Sequence, residues 1–525
     1  MRMNRANKTL VIAVCVMMFV ISLFFGCTQT ANNATTAAEG VEDSTAAAAG
    51  NTDSNATAAG IVRGKVTDDN SNMLIAGILV EDETGTVYRA TTNAFGGYSL
   101  ALMPGSYTLT FCKGAEFDTA VRTVEVASYK THYQRDVRLV QLFDSFSKGW
   151  IAGDTHQHTY YSDGVDSVES LMVSNASAGL YWGFLTDHNG SIGVPEWTGA
   201  TRVNVVSEPD GTPRYFNGFD GVEVTTEFGH FNSLGSGLTL ETYDLNLTEA
   251  ERGSAEKLDY IHGNIEYIAD CIRRIGGIAQ INHPYSVTTM GMRNWVESDD
   301  YALFDLFDTI EIWNGYFVPC DGRFTTQTSV NQNYAAKLLW YDLLNQMREG
   351  HVFHAATGGT DNHDTRSEES GESRKILSDQ IDTLDKYYSY WVSGGQYSGR
   401  PTTYARIDGE ITMEKVMDAL KHGHSFISDG PIVLCDIDGA TYGDTLIPTG
   451  RELTINTDIF NRDGIQQIRV VVNGEIVQTV QLSEQTTVYR EPITISADWE
   501  TYDWILIEVL GPISQYAVTN PIIIG

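Results

Sequence analysis

From residue 61 onward the chain alternates short apolar runs with turn residues, and the character of that alternation changes twice. Over 61–142 the runs Val62-Arg63-Gly64-Lys65-Val66, Gly77-Ile78-Leu79-Val80, Thr86-Val87-Tyr88-Arg89-Ala90 and Tyr107-Thr108-Leu109-Thr110 are rich in β-branched and aromatic residues. Short strands at such close spacing predict a small β-sandwich. Over 147–430 strand-like runs alternate with helical periods. Trp150-Ile151-Ala152, Tyr181 to Thr186, Phe219 to Val224, Ile278 to Ile281, Phe307 to Trp313 and His351 to Ala356 read as strands. Ile261, Ile265, Ile268, Ile272 and Ile275 recur at spacings of four and three, a helix closed by Gly276-Gly277. Ala335, Leu339, Leu343 and Met347 mark another helix. Strands alternating with helices predict a parallel α/β barrel or sheet, with chemistry at the carboxyl ends of its strands. After Gly430-Pro431 the pattern is β-like again, through Leu453 to Thr457, Gln467 to Val472 with the turn Asn473-Gly474, and Trp504 to Val509. The expected fold class is therefore multidomain: a TIM-like α/β barrel over 147–430, flanked by all-β sandwiches over 61–142 and 431–525.

The first 60 residues follow different rules. Arg2, Arg5 and Lys8 precede an apolar run from Leu10 to Phe25, short for a membrane-spanning helix and suited to a signal peptide. It ends at Gly26-Cys27 and resembles the lipobox of bacterial-type lipoproteins, with Phe24 where leucine is usual. Residues 1–27 are thus expected to be a signal peptide and Cys27 a lipid anchor, the alternative being an uncleaved membrane anchor. Residues 28–60, almost all Ala, Thr, Asn, Ser, Gly and acidic, lack the apolar content to fold and predict a flexible stalk. The expected location is extracytoplasmic and membrane-anchored, at a cell surface or in a periplasm.

Composition narrows the partners. With 34 basic and 68 acidic residues the formal charge is -34, a surface that disfavours long nucleic acids but admits small esters where bound cations reverse the local sign. Beyond the signal, Cys112, Cys271, Cys320 and Cys435 lie far apart without metal-ligand spacing, and buried free thiols are expected.

The candidate chemistry sits where the middle strands end. His156 and His158 follow Trp150-Ile151-Ala152, and residues two apart in an extended chain face the same side, as two ligands of one ion require. Asp163 follows within reach of a turn at Gly164. Downstream come Asp187-His188-Asn189, Glu223 within an apolar strand, His230, Asn282-His283-Pro284, and Gly359-Thr360-Asp361-Asn362-His363. A buried, unpaired Glu223 is costly, so a cation is a good reason for it to be there. Imidazoles and carboxylates without thiolates suit zinc, manganese or iron. Asp187 and Asn189 read as supporting or capping residues; Glu311 and Trp313 receive no role.

Two resemblances organise these residues. Thr92-Asn93-Ala94-Phe95-Gly96-Gly97-Tyr98 and Met103-Pro104-Gly105-Ser106-Tyr107 resemble the carboxypeptidase regulatory-like domain. The ordered set His156, His158, Asp163, His188, Glu223, His230, His283, Asp361 and His363 resembles the metal ligands of the PHP (polymerase and histidinol phosphatase) superfamily, and by layout its carbamate-cleaving branch. That resemblance implies two or three divalent transition-metal ions. It groups His156, His158, Glu223 and Asp361 on one; Glu223, His230 and His283 on a second; and Asp163, His188 and His363 on a third. Glu223 would bridge, and a metal-activated hydroxide would be the nucleophile. The expected function is a metal-dependent hydrolase of small-molecule esters, with phosphomonoesters and phosphodiesters, including nucleotides or short oligonucleotide ends, favoured. A carbamate or amide hydrolase and a non-catalytic surface binding lipoprotein are the alternatives. An amidohydrolase barrel would want a bridging lysine, and the strand around Glu223 offers none.

Overall fold

The computed structural model describes residues 59–199, 202–226, 229–235, 265–286, 301–315, 318–320, 332–365, 398–483, 485–512 and 515–525. The expected signal peptide, the Cys27 anchor, most of the stalk and the Ile261 end of the isoleucine-periodic helix lie outside them. Among the described residues no helix is long and apolar enough to cross a membrane.

The first folded part is two four-stranded sheets. Gly60–Thr67, Gly97–Leu102, Thr131–Tyr133 and Val137–Arg138 form one, and Gly77–Asp82, Val87–Thr91, Gly105–Cys112 and Ala120–Val126 the other. Alternate residues such as Tyr107, Leu109 and Phe111 are buried, the period-two pattern of sheets with one face inward.

Among the described residues the central sheet has fifteen strands. In chain order its main members are β1 (Trp150–Asp154), β2 (Trp182–Leu185), β3 (Asn217–Thr226), β4 (Gly229–Leu234), β5 (Ile278–Ile281), β6 (Thr309–Asn314), β7 (Ala355–Gly359), β8 (Thr402–Arg406), β9 (Ser425–Ser428), β10 (Gln467–Val472), β11 (Glu475–Gln481), β12 (Trp504–Leu510) and β13 (Tyr516–Thr519). Their spatial order is β7-β6-β5-β4-β3-β2-β1-β8-β9-β13-β12-β10-β11. Described helices include α1 (Val168–Ser177), α2 (Val194–Gly199), α3 (Ile265–Arg274), α4 (Tyr301–Phe304), α5 (Gln332–Asn345) and α6 (Met413–Lys421).

The expected parallel alternation holds only in part. β1, β2 and β3 run parallel, as do β5, β6 and β7, but β4 is antiparallel to both neighbours because it returns from β3 in a tight hairpin pairing Thr226 with Gly229. β8 is antiparallel to β1 and β9. Among the described residues the observed element is a curled mixed sheet, mostly β. The curl brings β7 against β1 and β8: Thr403 Oγ1 donates to the Gly358 carbonyl at 2.7 Å, and Gln157 bridges Asn362. The strand expected at His351–Ala356 begins instead at Ala355, because His351 and the Val352 amide are held by Asp305 beyond α4.

β9 pairs with β13, so the sheet continues past residue 430. A second sheet of Ile432–Ile437, Glu452–Phe460, Val488–Tyr489 and Ile493–Ser496 shares a core with it through Ile455, Ile468, Val470 and Ile507. The Asn473-Gly474 turn has both residues at positive φ, as the two-residue hairpin between β10 and β11 requires. Cys271, Cys320 and Cys435 are buried free thiols, whereas Cys112, expected buried, is partly exposed at the end of its strand.

Candidate metal centre

β1 ends in a turn that presents His156 and His158 side by side. The carboxylate of Asp154, fully buried, fixes the turn: it accepts from the His156 amide at 3.1 Å and from the Thr360 amide and hydroxyl at 3.0 and 2.5 Å. Burial pushes its pKa up to about 7 against those hydrogen bonds. His188 lies just past the end of β2, His283 just past β5, and Asp361 and His363 just past β7. Because β4 runs antiparallel, His230 reaches the same place from its amino end. Glu223 points in from the middle of β3, buried.

All nine candidate residues converge. His156 Nε2 lies 3.2 Å from Glu223 Oε2 and 3.3 Å from Asp361 Oδ1. His158 Nε2 lies 3.1 Å from each of the same oxygens. Glu223 divides its two oxygens: Oε2 faces His156, His158 and His188 Nδ1 (3.1 Å), while Oε1 faces His230 Nδ1 (3.0 Å) and His283 Nε2 (3.1 Å). Toward solvent, Asp163 swings back past its turn to place Oδ1 3.2 Å from His363 Nε2 and Oδ2 3.5 Å from His188 Nε2.

Three groups of atoms are compact enough for one ion each: His156, His158, Glu223 and Asp361; His188, Glu223 and His230; and His158, Asp163, His188 and His363. The first is the expected grouping. The third adds His158 to the expected three. In the second His188 stands where His283 was expected, and His283 sits on the far side of Glu223 Oε1.

These donors fit a cation. His156 Nε2, His158 Nε2 and Glu223 Oε2 are buried without a hydrogen-bond partner, although each is within 3.2 Å of another of them, because they aim at a common point instead of at one another. Ligands about 2.0–2.1 Å from a tetrahedral zinc are separated by roughly 3.3 Å, close to the 3.1–3.3 Å found here.

Charge balances along the same lines. Burial would lower the His158 pKa, but the carboxylates of Asp361 and Glu223 beside it raise it to about 9. Burial also disfavours the charged Glu223, yet the His156 charge, the His158 ring beside it and the hydrogen bond with His230 hold it well below the usual range. His188 is the exception: burial carries it down to about 4, so it is a neutral imidazole with one free nitrogen lone pair at neutral pH.

A supporting layer holds the ligands. Glu311 Oε1 lies 3.1 Å from His156 Nδ1, which fixes the proton there and leaves Nε2 as the donor, while Oε2 accepts from the His283 amide and Asn314 Nδ2. Asn314 Nδ2 also reaches Asp361 Oδ2 at 3.1 Å, Asn282 donates to Glu223 Oε1 at 3.0 Å, and Thr225 Oγ1 meets His188 Nδ1 at 2.6 Å. Asp187 accepts from Thr159 and Ser162, and Asn189 Oδ1 from the Thr225 amide, the supporting roles expected of them. Glu311 had no expected role, although a glutamate inside the apolar run Ile310 to Trp313 carries the same signal that marked Glu223. Trp313 donates to the Gly315 carbonyl and packs on Tyr516, outside the centre. His283 and Asp361 have positive φ, uncommon for residues other than glycine.

Residues 61–140 are a carboxypeptidase regulatory-like domain. No curated protein matches the chain. Among solved structures, the Bacillus anthracis TIE protein matches at 17% identity over 19% of each chain, TM-score 0.15, so the match spans about a fifth of that protein. A two-domain Bacteroides vulgatus protein containing a predicted PHP-like metal-dependent phosphoesterase matches at 14% identity over 71% of this chain and 96% of that one, TM-score 0.31. An amidohydrolase from Chromobacterium violaceum matches at 18% identity over 40% and 87%, TM-score 0.26. These likenesses are distant, and the centre is read from its own atoms.

Proposed function

We propose that the chain is a PHP-type metal-dependent hydrolase acting on small phosphoesters. The observation that carries this is the first group of atoms: two imidazoles and two carboxylates at 3.1–3.3 Å, three of whose atoms lack any hydrogen bond. His156, His158, Glu223 and Asp361 would hold one divalent zinc, manganese or iron; His188, His230 and His283 would complete the surroundings of Glu223; and Asp163 with His363 would close the solvent side. Such ions, when bound, supply Lewis acidity and lower the pKa of a water from ~15.7 toward ~7.

The chain's own residues prepare the site. Glu223 presents one oxygen to each side of the centre and is kept ionised by the imidazoles around it. Glu311 retains the Nδ1 proton of His156, which keeps Nε2 turned inward. Asp163, more than half exposed, stands where an ester would enter. Phosphoester hydrolysis suits a cluster of cations because two non-bridging oxygens can be neutralised as charge grows during in-line attack.

The test offers the protein, with manganese or zinc, a phosphomonoester, a phosphodiester, a short oligonucleotide and an aryl carbamate. Metal-dependent turnover of phosphoesters, abolished by Asp361→Ala, is expected. Turnover of the carbamate alone would replace the reaction with carbamate hydrolysis, and no turnover of any with full metal content would favour a binding protein. Purified protein should hold at least two transition-metal ions per chain, and His156→Ala or Glu223→Ala should lower that number.

We also propose that the mature chain is anchored outside the cytoplasm through a lipid on Cys27. Mass spectrometry of the mature N-terminus decides this: a thioether-linked lipid on Cys27 is expected, and an N-terminus elsewhere without lipid mass removes the anchor.

A further inference from the structure

The outer face of the first sheet of the sandwich carries charge of the opposite sign to the rest of the molecule. Gly60–Thr67 alternates: Val62 and Val66 point into the core, while Arg63 and Lys65 point out and are exposed. Strand pairing carries this outward row sideways. Arg63 stands opposite Ser99 on one neighbour and Tyr133 on the other, and Thr67 stands opposite the exposed Arg138. Arg63 Nε donates to Ser99 Oγ at 3.2 Å, and none of Arg63, Lys65 and Arg138 is in an ion pair among the described residues. The four strands of this sheet contain no acidic residue. Asp136, in the connection before Val137–Arg138, has Arg135 beside it in the chain to offset it, and both are exposed. The acid excess of the chain falls almost entirely outside residues 61–142.

One end of the face is aromatic and lies where the chain enters the fold. The Tyr129 amide donates to the Ala59 carbonyl at 3.4 Å and the Ile61 amide to the Lys130 carbonyl at 2.8 Å, so the turn before Thr131–Tyr133 sits against the incoming segment. Tyr129 is 79% exposed and Tyr133 76%, and Lys130 beside them is exposed as well. The same sheet buries Val62, Tyr98 and Leu100, so these two rings are left over from the core. Beside lysine and arginine, tyrosine suits a lipid–water boundary, its ring among the headgroups and its hydroxyl wet.

We propose that this face docks on an anionic phospholipid surface, the membrane to which Cys27 would tether the chain. The source of the lipid rests on that anchor reading; the binding itself does not need a lipid on Cys27. Charge complementarity selects the occupant. Cations are drawn to anionic headgroups while the acidic remainder of the molecule is repelled, which turns Arg63, Lys65 and Arg138 toward the bilayer. The span from Cys27 to Gly60 can extend to about 110 Å, so a tether alone leaves the fold at any distance up to that, and the basic face is what holds it down.

Vesicle flotation of the metal-loaded chain begun at Thr28 tests this, since that chain keeps every described residue and carries no lipid. Equimolar phosphatidylglycerol and phosphatidylcholine is compared with phosphatidylcholine alone. Binding to the anionic vesicles about tenfold stronger or more, and weakened by salt, is expected. Each cation near such a surface contributes about fivefold, so Arg63→Gln combined with Lys65→Gln should weaken binding by more than about tenfold. Both side chains are exposed, and an unchanged melting temperature checks that the fold is kept. Arg451→Gln, an exposed cation near the C-terminal sheets, should leave binding within about twofold. Equal binding to both kinds of vesicle, binding unchanged in the Arg63 and Lys65 variant, or retention by an immobilised anionic glycan with none on vesicles overturns the proposal. Because the chain tested has no lipid, each of these results is independent of whether Cys27 carries one.

Discussion

Glu311 bonds the ring of His156 through one oxygen and the backbone amide of His283 through the other, so it sets the aim of two candidate ligands at once. Glu311→Gln keeps the shape and removes the charge that fixes the His156 proton. A loss of about 10–100-fold in metal affinity is expected, measured by chelator competition; unchanged affinity would mean that His156 is held by its other contacts alone. Gly359 is the steric counterpart. A Cβ there would lie 2.4 Å from His156 Cβ and 2.6 Å from Glu311 Oε1, which is why this strand position carries glycine. Gly359→Ala should cost about 1–3 kcal/mol of stability in urea denaturation and lower metal content; a variant with native values for both removes the close-packing argument. The nine candidate positions were legible because His, Asp and Glu at strand ends are visible one residue at a time. Glu311, Asp154 and Asn282 were not singled out, since their partners are brought close only by the curl of the sheet.

The same limit acts on elements. The period of Ala335, Leu339 and Leu343 located α5 correctly, but only one face of it. Lys337, on what reads as the polar face, is buried: Nζ lies 2.6 Å from Glu508 Oε1 on β12 and 2.9 Å from the Tyr516 hydroxyl on β13. The second face is covered by strands some 170 residues later, which no local period can reveal. Lys337→Met should cost up to about 3–5 kcal/mol, because the buried Glu508 then keeps only the longer 3.4 Å contact with Arg469 as a charged partner, whereas adding Glu508→Leu should recover part of it. Denaturant midpoints of the two variants check this, and equal midpoints would show that Tyr341 and Arg469 suffice for Glu508. The parallel alternation was misread for a related reason: the hairpin between β3 and β4 inverts one strand, and its turn lacks the glycine-rich dipeptide that marks such a reversal.

At the scale of the whole molecule, the composition shift near residue 430 is legible in the chain, yet the β9–β13 pairing carries one sheet across it. A chain ended at residue 430 should expose the β9 edge and fail to give a monodisperse, cooperatively melting protein by size exclusion and circular dichroism; a soluble, sharply melting fragment would show that the central part folds alone. Lys113 couples the other end: it is fully buried, with Nζ donating to the Ile75 carbonyl in the sandwich and the Ala176 carbonyl in α1. Burial lowers its pKa to about 7. The unfolded chain, with an ordinary lysine near ~10.5, then binds the extra proton between those values, so stability should rise as pH increases from about 7 toward 10. Lys113→Met should flatten that rise in melting temperature; an unchanged slope would assign it to another group.

The metal centre is graded in depth. His156, His158 and Glu223 are sealed, whereas the side chains of His188, His363 and Asp163 are 23%, 32% and 57% exposed. Ligands in contact with water exchange faster and bind less tightly, so chelation should proceed in two phases, the outer position emptying before the inner ones. The outer position would then be the one whose occupancy follows the metal content of the surroundings.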